Sequence, residues 1–237
     1  MKKPAILHKL YRNYIGMKYP GTRIVHSSNG MKYILCPSNS TVEKNILLHG
    51  IYEPEETHLM NTIIKKGMVI IDVGAHIGYY SCLFGKLVGE QGIVYAIEPN
   101  PISYGYLRAN VLLNKVKNVR CVEKALSSKY NISYYLNLRN LAWTIYEKDK
   151  VSEIIVEGTP AESFMKPDFI KVDVDGGEIE CLKILIPILK QNTMIMIEIA
   201  EENKKGIEEM GFVITPIKGS DRNYLLYFDL KNSSACL

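Results

Sequence analysis

The pattern of apolar residues changes from strand-like to helix-like within Val69-Ile70-Ile71-Asp72-Val73-Gly74-Ala75-His76-Ile77-Gly78-Tyr79-Tyr80. The first half is a short β-branched run, which is typical of a strand buried on both faces of a parallel sheet. Beyond Gly74, apolar residues recur at helical spacing as far as Val88. The stretch therefore predicts a strand, a sharp glycine turn and a helix, with a ligand at the turn.

The acids near this turn indicate which ligand it binds. A dinucleotide-binding turn needs glycine where this chain has His76, and Asp72 would add negative charge beside a pyrophosphate. Glu98 ends the next apolar run, twenty residues after Gly78, the interval at which an acid binds the hydroxyls of a ribose. A positively charged nucleoside without phosphate fits these features, and S-adenosylmethionine is such a molecule. The alternative is an ordinary α/β turn without a ligand.

Length and composition favour a single catalytic domain. The 237 residues suffice for a sizeable core, and we expect an N-terminal extension over 1–50 and one domain over 51–237. The net charge of +4 is mild, and the basic residues are interspersed with acids, which does not argue for nucleic acid. No apolar run reaches membrane-spanning length, so we expect a soluble cytoplasmic protein without a membrane span.

The cysteines are far apart and form no C-x-x-C pair, which indicates reduced residues. They are Cys36, Cys82, Cys121, Cys181 and Cys236.

Strand-like and helix-like patterns of apolar residues alternate along the rest of the chain. Pro54 marks a helix start, and Asn100 and Pro101 cap and open another helix. Further parallel strands are expected at 119–123, 169–175 and 193–198. An antiparallel strand near 132–138 is expected to pair with 151–157. Pro187 should end the helix that follows the strand over 169–175. A hairpin over 212–218 and 224–229 completes a doubly wound α/β sheet, mostly parallel with an antiparallel C-terminal hairpin. The fold of residues 1–50 is not predicted.

Acidic side chains follow all five predicted parallel strands. They are Asp72, Glu98, Glu123, Asp173 with Asp175, and Glu198. Because the carboxyl ends of parallel strands border one crevice, we expect an anionic mouth that favours a cationic ligand. The alternative, that an acid caps a helix or turn, is strongest for Glu123.

At this point the chain resembles the FkbM family of S-adenosylmethionine-dependent methyltransferases. The motifs are Gly50-Ile51-Tyr52-Glu53-Pro54-Glu55, Asp72 to Tyr80 as quoted above, Ala96-Ile97-Glu98-Pro99-Asn100-Pro101, Lys124-Ala125-Leu126-Ser127, and Phe169-Ile170-Lys171-Val172-Asp173-Val174-Asp175-Gly176-Gly177-Glu178. The chain departs from the family at His76, usually Asn, and at Asp175, usually Glu.

The resemblance implies a class I methyltransferase (Rossmann-like) fold and O-methylation of a small molecule, typically a sugar or polyketide hydroxyl. The implied cofactor-binding residues are Glu53, Asp72, Gly74, Ala75, His76, Gly78, Glu98, Pro99, Asn100, Lys124, Ala125 and Asp173.

Transfer to a hydroxyl also needs a base within hydrogen-bond reach. The catalytic candidates are Asp173, Asp175 and His76, with Glu198 as a further base candidate, and Asp173 is preferred because it ends the strand nearest the cofactor turn. His76 alone has an unperturbed pKa near neutrality, but a contact to the cofactor is its alternative role. No metal site is predicted, although Asp173 and Asp175 together are an alternative cation site.

Two other functions remain open. An RNA methyltransferase is suggested by the helix over 106–115, but Asp173-Val174-Asp175-Gly176-Gly177 replaces the Asn/Asp-Pro-Pro-aromatic turn that base methylation uses, and no nucleic-acid partner is expected. A non-catalytic S-adenosylmethionine-binding protein is the second alternative.

Overall fold

A computed structural model describes residues 21–36, 40–128, 133–136, 145–146, 154–174 and 176–228. The described residues before position 50 form a hairpin and a helix: β1 (Arg23–His26), β2 (Lys32–Leu35) and α1 (Thr41–His49). The hairpin turns at Ser27 to Gly30. Its strands have four residues each, which is too short for a clear periodic pattern in the sequence.

A central α/β unit follows. Its elements are α2 (Pro54–Ile63), β3 (Val69–Val73), α3 (Tyr79–Val88), β4 (Ile93–Ile97), α4 (Pro101–Leu113), β5 (Val119–Val122), β6 (Ala125–Ser127), β7 (Ser133–Leu136), β8 (Ile145–Tyr146), β9 (Ile154–Pro160), β10 (Phe169–Val172), α5 (Glu178–Leu185), β11 (Met194–Glu198), α6 (Lys204–Glu209), β12 (Phe212–Pro216) and β13 (Asn223–Phe228).

Seven of these strands form one sheet in the order β12-β13-β11-β10-β3-β4-β5. The five from β11 to β5 are parallel to one another, and β13 and β12 close the sheet as an antiparallel hairpin. The expected mostly parallel, doubly wound fold with a C-terminal hairpin is confirmed. The strand order reverses between β3 and β10, and ligands of open α/β sheets bind at the carboxyl ends beside such a reversal.

Helices cover both faces of the sheet. Ile70 of β3 packs with Phe84 of α3 on one face, whereas Ile71 packs with Leu182 of α5 on the other. Every residue of β3 is buried. Its continuous apolar character, interrupted only by Asp72, is the pattern expected of a strand covered on both faces.

The predicted helix boundaries have visible causes. Pro54 occupies the first turn of α2, and the Asn100 side chain accepts hydrogen bonds from the first turn of α4. Helix α5 ends at Leu185, and a short 3₁₀ turn containing Pro187 follows. Strand β10 ends at Val172, before Asp173, and Asp175 lies outside the described residues.

A second, four-stranded sheet has the order β6-β9-β7-β8. The antiparallel pairing predicted between 132–138 and 151–157 is confirmed in β7 and β9. Strand β6 and its parallel pairing with β9 were not predicted, because three residues are too few for a periodic signal.

Asn110 of α4 and Asn114, the C-cap of that helix, join the N-terminal hairpin to the central unit. Asn114 and Asn110 each exchange hydrogen bonds with the backbone N–H and C=O of one β2 residue, Lys32 and Ile34 respectively. Asn110 Nδ2 also donates to the Ile77 carbonyl, 2.8 Å away. The hairpin is thereby connected to the glycine turn after β3.

The four cysteines within the described residues, Cys36, Cys82, Cys121 and Cys181, are free thiols, and Cys236 lies outside that range. Among the helices that the structure describes, none has the length and apolar character needed to span a membrane.

Candidate functional site

The glycine turn brings three strands close together. Gly74 has a φ of +79°, and a Cβ atom there would lie 1.8 Å from the Asp173 carbonyl oxygen. The N–H groups of Gly74 and Ala75 both donate to the Ile97 carbonyl at 3.0 Å. Only glycine permits this approach of β3 to the loop after β10.

A cavity of about 500 Å³ opens beside this turn, on the side covered by α5. Its lining includes three of the predicted cofactor residues, Gly74, Pro99 and Ala125. The rest of the wall is mainly apolar and includes Val73, Ile97, Leu126, Val174, Cys181 and Ile184. An apolar cavity at the strand reversal suits a flat heteroaromatic ring.

Glu98 lies buried at the end of β4. Its Oε2 accepts the N–H of His76 at 2.7 Å, and its Oε1 accepts the N–H of Asn100 at 2.8 Å. Burial raises the pKa of Glu98 to about 7, although the two amide hydrogen bonds oppose this rise. Each oxygen retains capacity for a further hydrogen bond, as binding of ribose hydroxyls requires.

His76 is neutral at pH 7. Burial lowers its pKa to about 4, and the opposing effect of Asp173 is smaller. The residue has a left-handed φ of 49°, unusual for a non-glycine residue, and its buried Nδ1 has no hydrogen-bond partner among the described residues. A buried ring nitrogen without a partner in the described part of the chain favours the alternative role for His76, a contact to the cofactor.

A buried lysine lies at the centre of the acids. Lys171 of β10 is 4% exposed, and its Nζ lies 2.7 Å from Asp173 Oδ2 and 4.9 Å from the centre of the Tyr80 ring. Asp72 is its cross-strand neighbour in β3. Burial lowers the pKa of Lys171, but the surrounding carboxylates outweigh it and leave a net rise, so the side chain is an ammonium. We call Asp72, Asp173 and Glu53 around this ammonium the carboxylate cluster.

Glu53 enters the cluster from the start of α2. Tyr80 Oη donates to its Oε2 at 2.7 Å, and Asn223 Nδ2 donates to its Oε1 at 3.3 Å and to Glu56 Oε1 at 2.9 Å. Burial raises the pKa of Glu53, which Lys171 opposes. Its φ of 43° is also left-handed, a conformation that concentrates at functional sites.

Lys171, Tyr80 and Asn223 lie at the site as well, although they are not among the predicted site residues. For Lys171 a signal existed, because a charge interrupts the apolar run from Phe169 to Val172. Tyr80 carries no such signal, since it fits the apolar face of its helix, and Asn223 lies in the predicted hairpin turn, where a polar residue is ordinary.

Several residues that were predicted to border the ligand make other contacts or are exposed. Lys124 forms an ion pair with Glu157 at 3.0 Å, Glu123 is exposed, and Glu198 pairs with Arg222 at 3.2 Å. Gly78 caps α3, where a Cβ would lie 2.6 Å from Leu107 Cδ1. No group of three or more potential metal ligands occurs within the part of the chain that the structure describes.

Three buried polar atoms around the turn lack a hydrogen-bond partner among the described residues. They are Asp72 Oδ1, His76 Nδ1 and Asn100 Nδ2. Buried polar groups are nearly always satisfied in folded proteins, so a cluster of unsatisfied atoms at a strand reversal indicates a missing polar ligand. A carboxylate oxygen, an imidazole nitrogen and an amide N–H match the polar groups of an amino acid joined to a ribose.

A second cavity, of about 600 Å³, lies at the opposite, amino ends of β4 and β5. It is lined by Lys115, Lys117 and Arg120 together with Glu90. All four side chains are exposed. We call this feature the basic cleft.

Comparison with known proteins identifies the family. Residues 72–226 match the model of the methyltransferase FkbM domain. The chain belongs to this family. The match confirms the resemblance seen in the sequence and the prediction of S-adenosylmethionine as the cofactor, and it includes the glycine turn together with strands β4 and β10.

Individual relatives are more distant. Methyltransferase sdnD of Sordaria araneosa is 28% identical over 153 residues, which are 48% of this chain and 59% of that protein. A tRNA(Phe) (4-demethylwyosine(37)-C(7)) aminocarboxypropyltransferase of Methanocaldococcus jannaschii is 42% identical over 65 residues, which are 27% of this chain and 26% of that protein. The chain therefore spans about three fifths and one quarter of the lengths of these relatives.

The fold also matches solved structures. M. jannaschii TYW2 in complex with AdoMet superposes with a TM-score of 0.53 at 19% identity, covering 88% of this chain and 84% of that chain. At this identity the likeness concerns the fold alone, and it agrees with the class I methyltransferase architecture.

Proposed function

We propose that this protein transfers the methyl group of S-adenosylmethionine to a hydroxyl oxygen of a small molecule, such as a sugar or a polyketide-like compound. The observation that carries the proposal is the carboxylate cluster beside an apolar cavity at the reversal of strand order. One ammonium, Lys171, faces three carboxylates there. A ligand with positive charge at one end and an aromatic ring at the other fits this arrangement.

Different residues would bind different parts of the cofactor. The cavity beside Gly74 would hold the adenine, Glu98 the ribose hydroxyls, and the polar atoms of Asp72 and His76 the methionine part. S-adenosylmethionine, when bound, supplies an electrophilic methyl group on a sulfonium. Because Asp72 and Asp173 carry negative charge at this end, the same residues favour the cationic cofactor over its neutral product.

Asp173 is the proposed base. Lys171 binds its Oδ2, and 30% of the Asp173 side chain is exposed, so the carboxylate remains accessible to an acceptor. The acceptor oxygen forms the new C–O bond as the methyl–sulfur bond breaks, the electron pair of that bond stays on sulfur, and the hydroxyl proton passes to Asp173. Holding acceptor and methyl in line supplies much of the rate.

Incubation with methyl-labelled cofactor and a panel of hydroxylated acceptors tests the function. The expected result is label in an ether product, together with S-adenosylhomocysteine. Cofactor binding without turnover on any sugar, polyketide or RNA would instead support the non-catalytic alternative.

Cofactor binding should depend on Glu98 and on pH. Because the pKa of Glu98 is about 7 in the free protein, its carboxylate gains a proton as the pH falls below 7, and we expect affinity for S-adenosylmethionine to fall between pH 8 and pH 6. Glu98→Ala should weaken binding by about 1 to 3 kcal/mol and remove most of this pH dependence. Calorimetry at several pH values measures both effects, and an unchanged profile in the variant would assign the dependence to another group.

RNA is the second candidate acceptor, and the basic cleft is the observation that favours it. Lys115, Lys117 and Arg120 form no salt bridge with any described residue, so their charges are available to phosphates. The basic cleft and the cofactor cavity lie at opposite ends of the strands. An RNA that bound in the cleft and also reached the cavity would have to extend past the sheet edge at β5. One relative is named for an activity on tRNA.

Binding of a labelled tRNA tests this candidate. If RNA is the acceptor, the double variant Lys115→Ala, Lys117→Ala should bind about tenfold more weakly and with a salt slope shallower by about 1 to 2. The matched control, Lys183→Ala with Lys205→Ala, removes two lysines that pair with Glu180 and Glu209. Equal losses in both double variants would mean only non-specific attraction.

A further inference from the structure

The position of Lys171 needs an explanation beyond stability. Its strand neighbours Phe169, Ile170 and Val172 are buried and apolar. Lysine is almost never fully buried unless it is paired, and replacing a buried ion pair by apolar residues often stabilises a protein. A lysine kept in such a strand therefore indicates a use for its charge.

The ammonium is held from two sides. Asp173 Oδ2 accepts its hydrogen bond at 2.7 Å, and the face of the Tyr80 ring lies 4.9 Å away. The side chain of Lys171 is 5% exposed and that of Asp173 is 30% exposed. The lysine side of the pair is thus buried, whereas the carboxylate side is partly exposed. The charge-assisted hydrogen bond from the buried ammonium fixes Asp173 in one orientation.

The ammonium also balances charge across the strand reversal. Asp72 lies beside it in the adjacent strand, and both Asp72 and Glu53 act on it electrostatically. Asp72 has only Ser81 Oγ as a donor within the described residues, and its Oδ1 is unsatisfied. Without Lys171, three neighbouring carboxylates would have no cation.

We propose that Lys171 is a positioning residue for methyl transfer, which holds Asp173 oriented toward the acceptor and sets how strongly the site prefers a cationic cofactor. The first part rests on the proposed function, whereas the second concerns binding alone. The charged and titratable groups around the pair are Asp72 of β3, Glu53 before α2, Tyr80 of α3, Tyr52, His76 and Glu98. Asp175, two residues further along the chain, lies outside the described range.

A double-mutant cycle tests the first part. Lys171→Met should lower kcat at least about tenfold in the wild-type background but by less than about twofold in the Asp173→Asn background, because Lys171 acts through the Asp173 carboxylate. Equal losses in both backgrounds would mean a purely structural role and would overturn the proposal.

Cofactor binding tests the second part without any acceptor, so its outcome does not depend on the proposed reaction. At pH 8.5, Lys171→Met should raise the preference for S-adenosylmethionine over S-adenosylhomocysteine at least about fivefold, since only the former carries a sulfonium. Equal weakening of both ligands would contradict the charge-balance role. Absence of turnover in the wild type with every acceptor would reject the proposed function instead.

Two further variants complete the test. If Lys171→Met does not fold, the double variant Asp72→Asn, Lys171→Met removes one carboxylate along with the ammonium and should restore folding while retaining the loss of kcat. Lys190→Met is the matched control, because Lys190 pairs with Asp168 at 2.6 Å beyond the amino end of β10. It should leave both kcat and the ligand preference unchanged, and a change in either would show that any lost ion pair produces the effect.

Discussion

Replacing Asp173 by Asn should reduce turnover by about a hundredfold or more while cofactor affinity stays within about tenfold. Asn preserves the shape of the side chain and can still accept a hydrogen bond from Lys171, but it cannot take a proton from a hydroxyl. Calorimetry with S-adenosylmethionine and turnover with the best acceptor separate the two quantities. Loss of both in parallel would assign Asp173 to cofactor binding.

Asp168→Asn is the matched control for this change. Asp168 precedes the same strand, β10, and pairs with Lys190 at 2.6 Å, so its replacement also removes a lysine-paired carboxylate. Turnover per folded molecule should stay within about threefold of the wild type. Normal turnover in Asp173→Asn would move the base role to Asp175 or Glu198, and Asp175→Asn should therefore be measured in parallel. Sensitivity of the wild type to EDTA would indicate that these acids hold a metal ion instead.

Gly74→Ala should destabilise the protein by about 3 kcal/mol or more. The added Cβ would lie 1.8 Å from the Asp173 carbonyl oxygen, and the φ of +79° is unfavourable for any residue with a side chain. Relief of the clash must move the loop after β10 away from β3, which also displaces Asp173 and opens the cofactor cavity. We therefore expect weakened cofactor binding even where the variant is folded.

Gly105→Ala is the control with the opposite expected sign. Gly105 lies inside α4, is exposed, and has no atom within 4 Å of an added Cβ. Alanine there should stabilise the protein by about 0.5 to 1 kcal/mol, because it lowers the conformational entropy of the unfolded chain. Urea unfolding measures both variants. An equal and small effect at the two positions would contradict the close approach of β3 and β10 at Gly74.

Local sequence determined the strands and helices of the sheet, the glycine turn and the row of acids at the strand ends. Each depends on a short-range property: the period of apolar residues, the conformational freedom of Gly74, or the cap formed by Asn100. Of these acids, Asp72, Glu98 and Asp173 lie close together, because the carboxyl ends of parallel strands share one edge of the sheet. The family followed from the same motifs.

Only the tertiary structure decided which of these acids work together. Lys171 and Asp72 are about a hundred residues apart in sequence and meet through the register of β10 on β3, while Glu53 and Asn223 are 170 residues apart. Burial, which no local pattern records, lowers the pKa of His76 to about 4 and raises that of Glu98 to about 7. The acids could be predicted from the sequence, but their pKa values and their partners could not. Strand register decides the partners and burial shifts the pKa values, and both depend on residues that are distant in the chain.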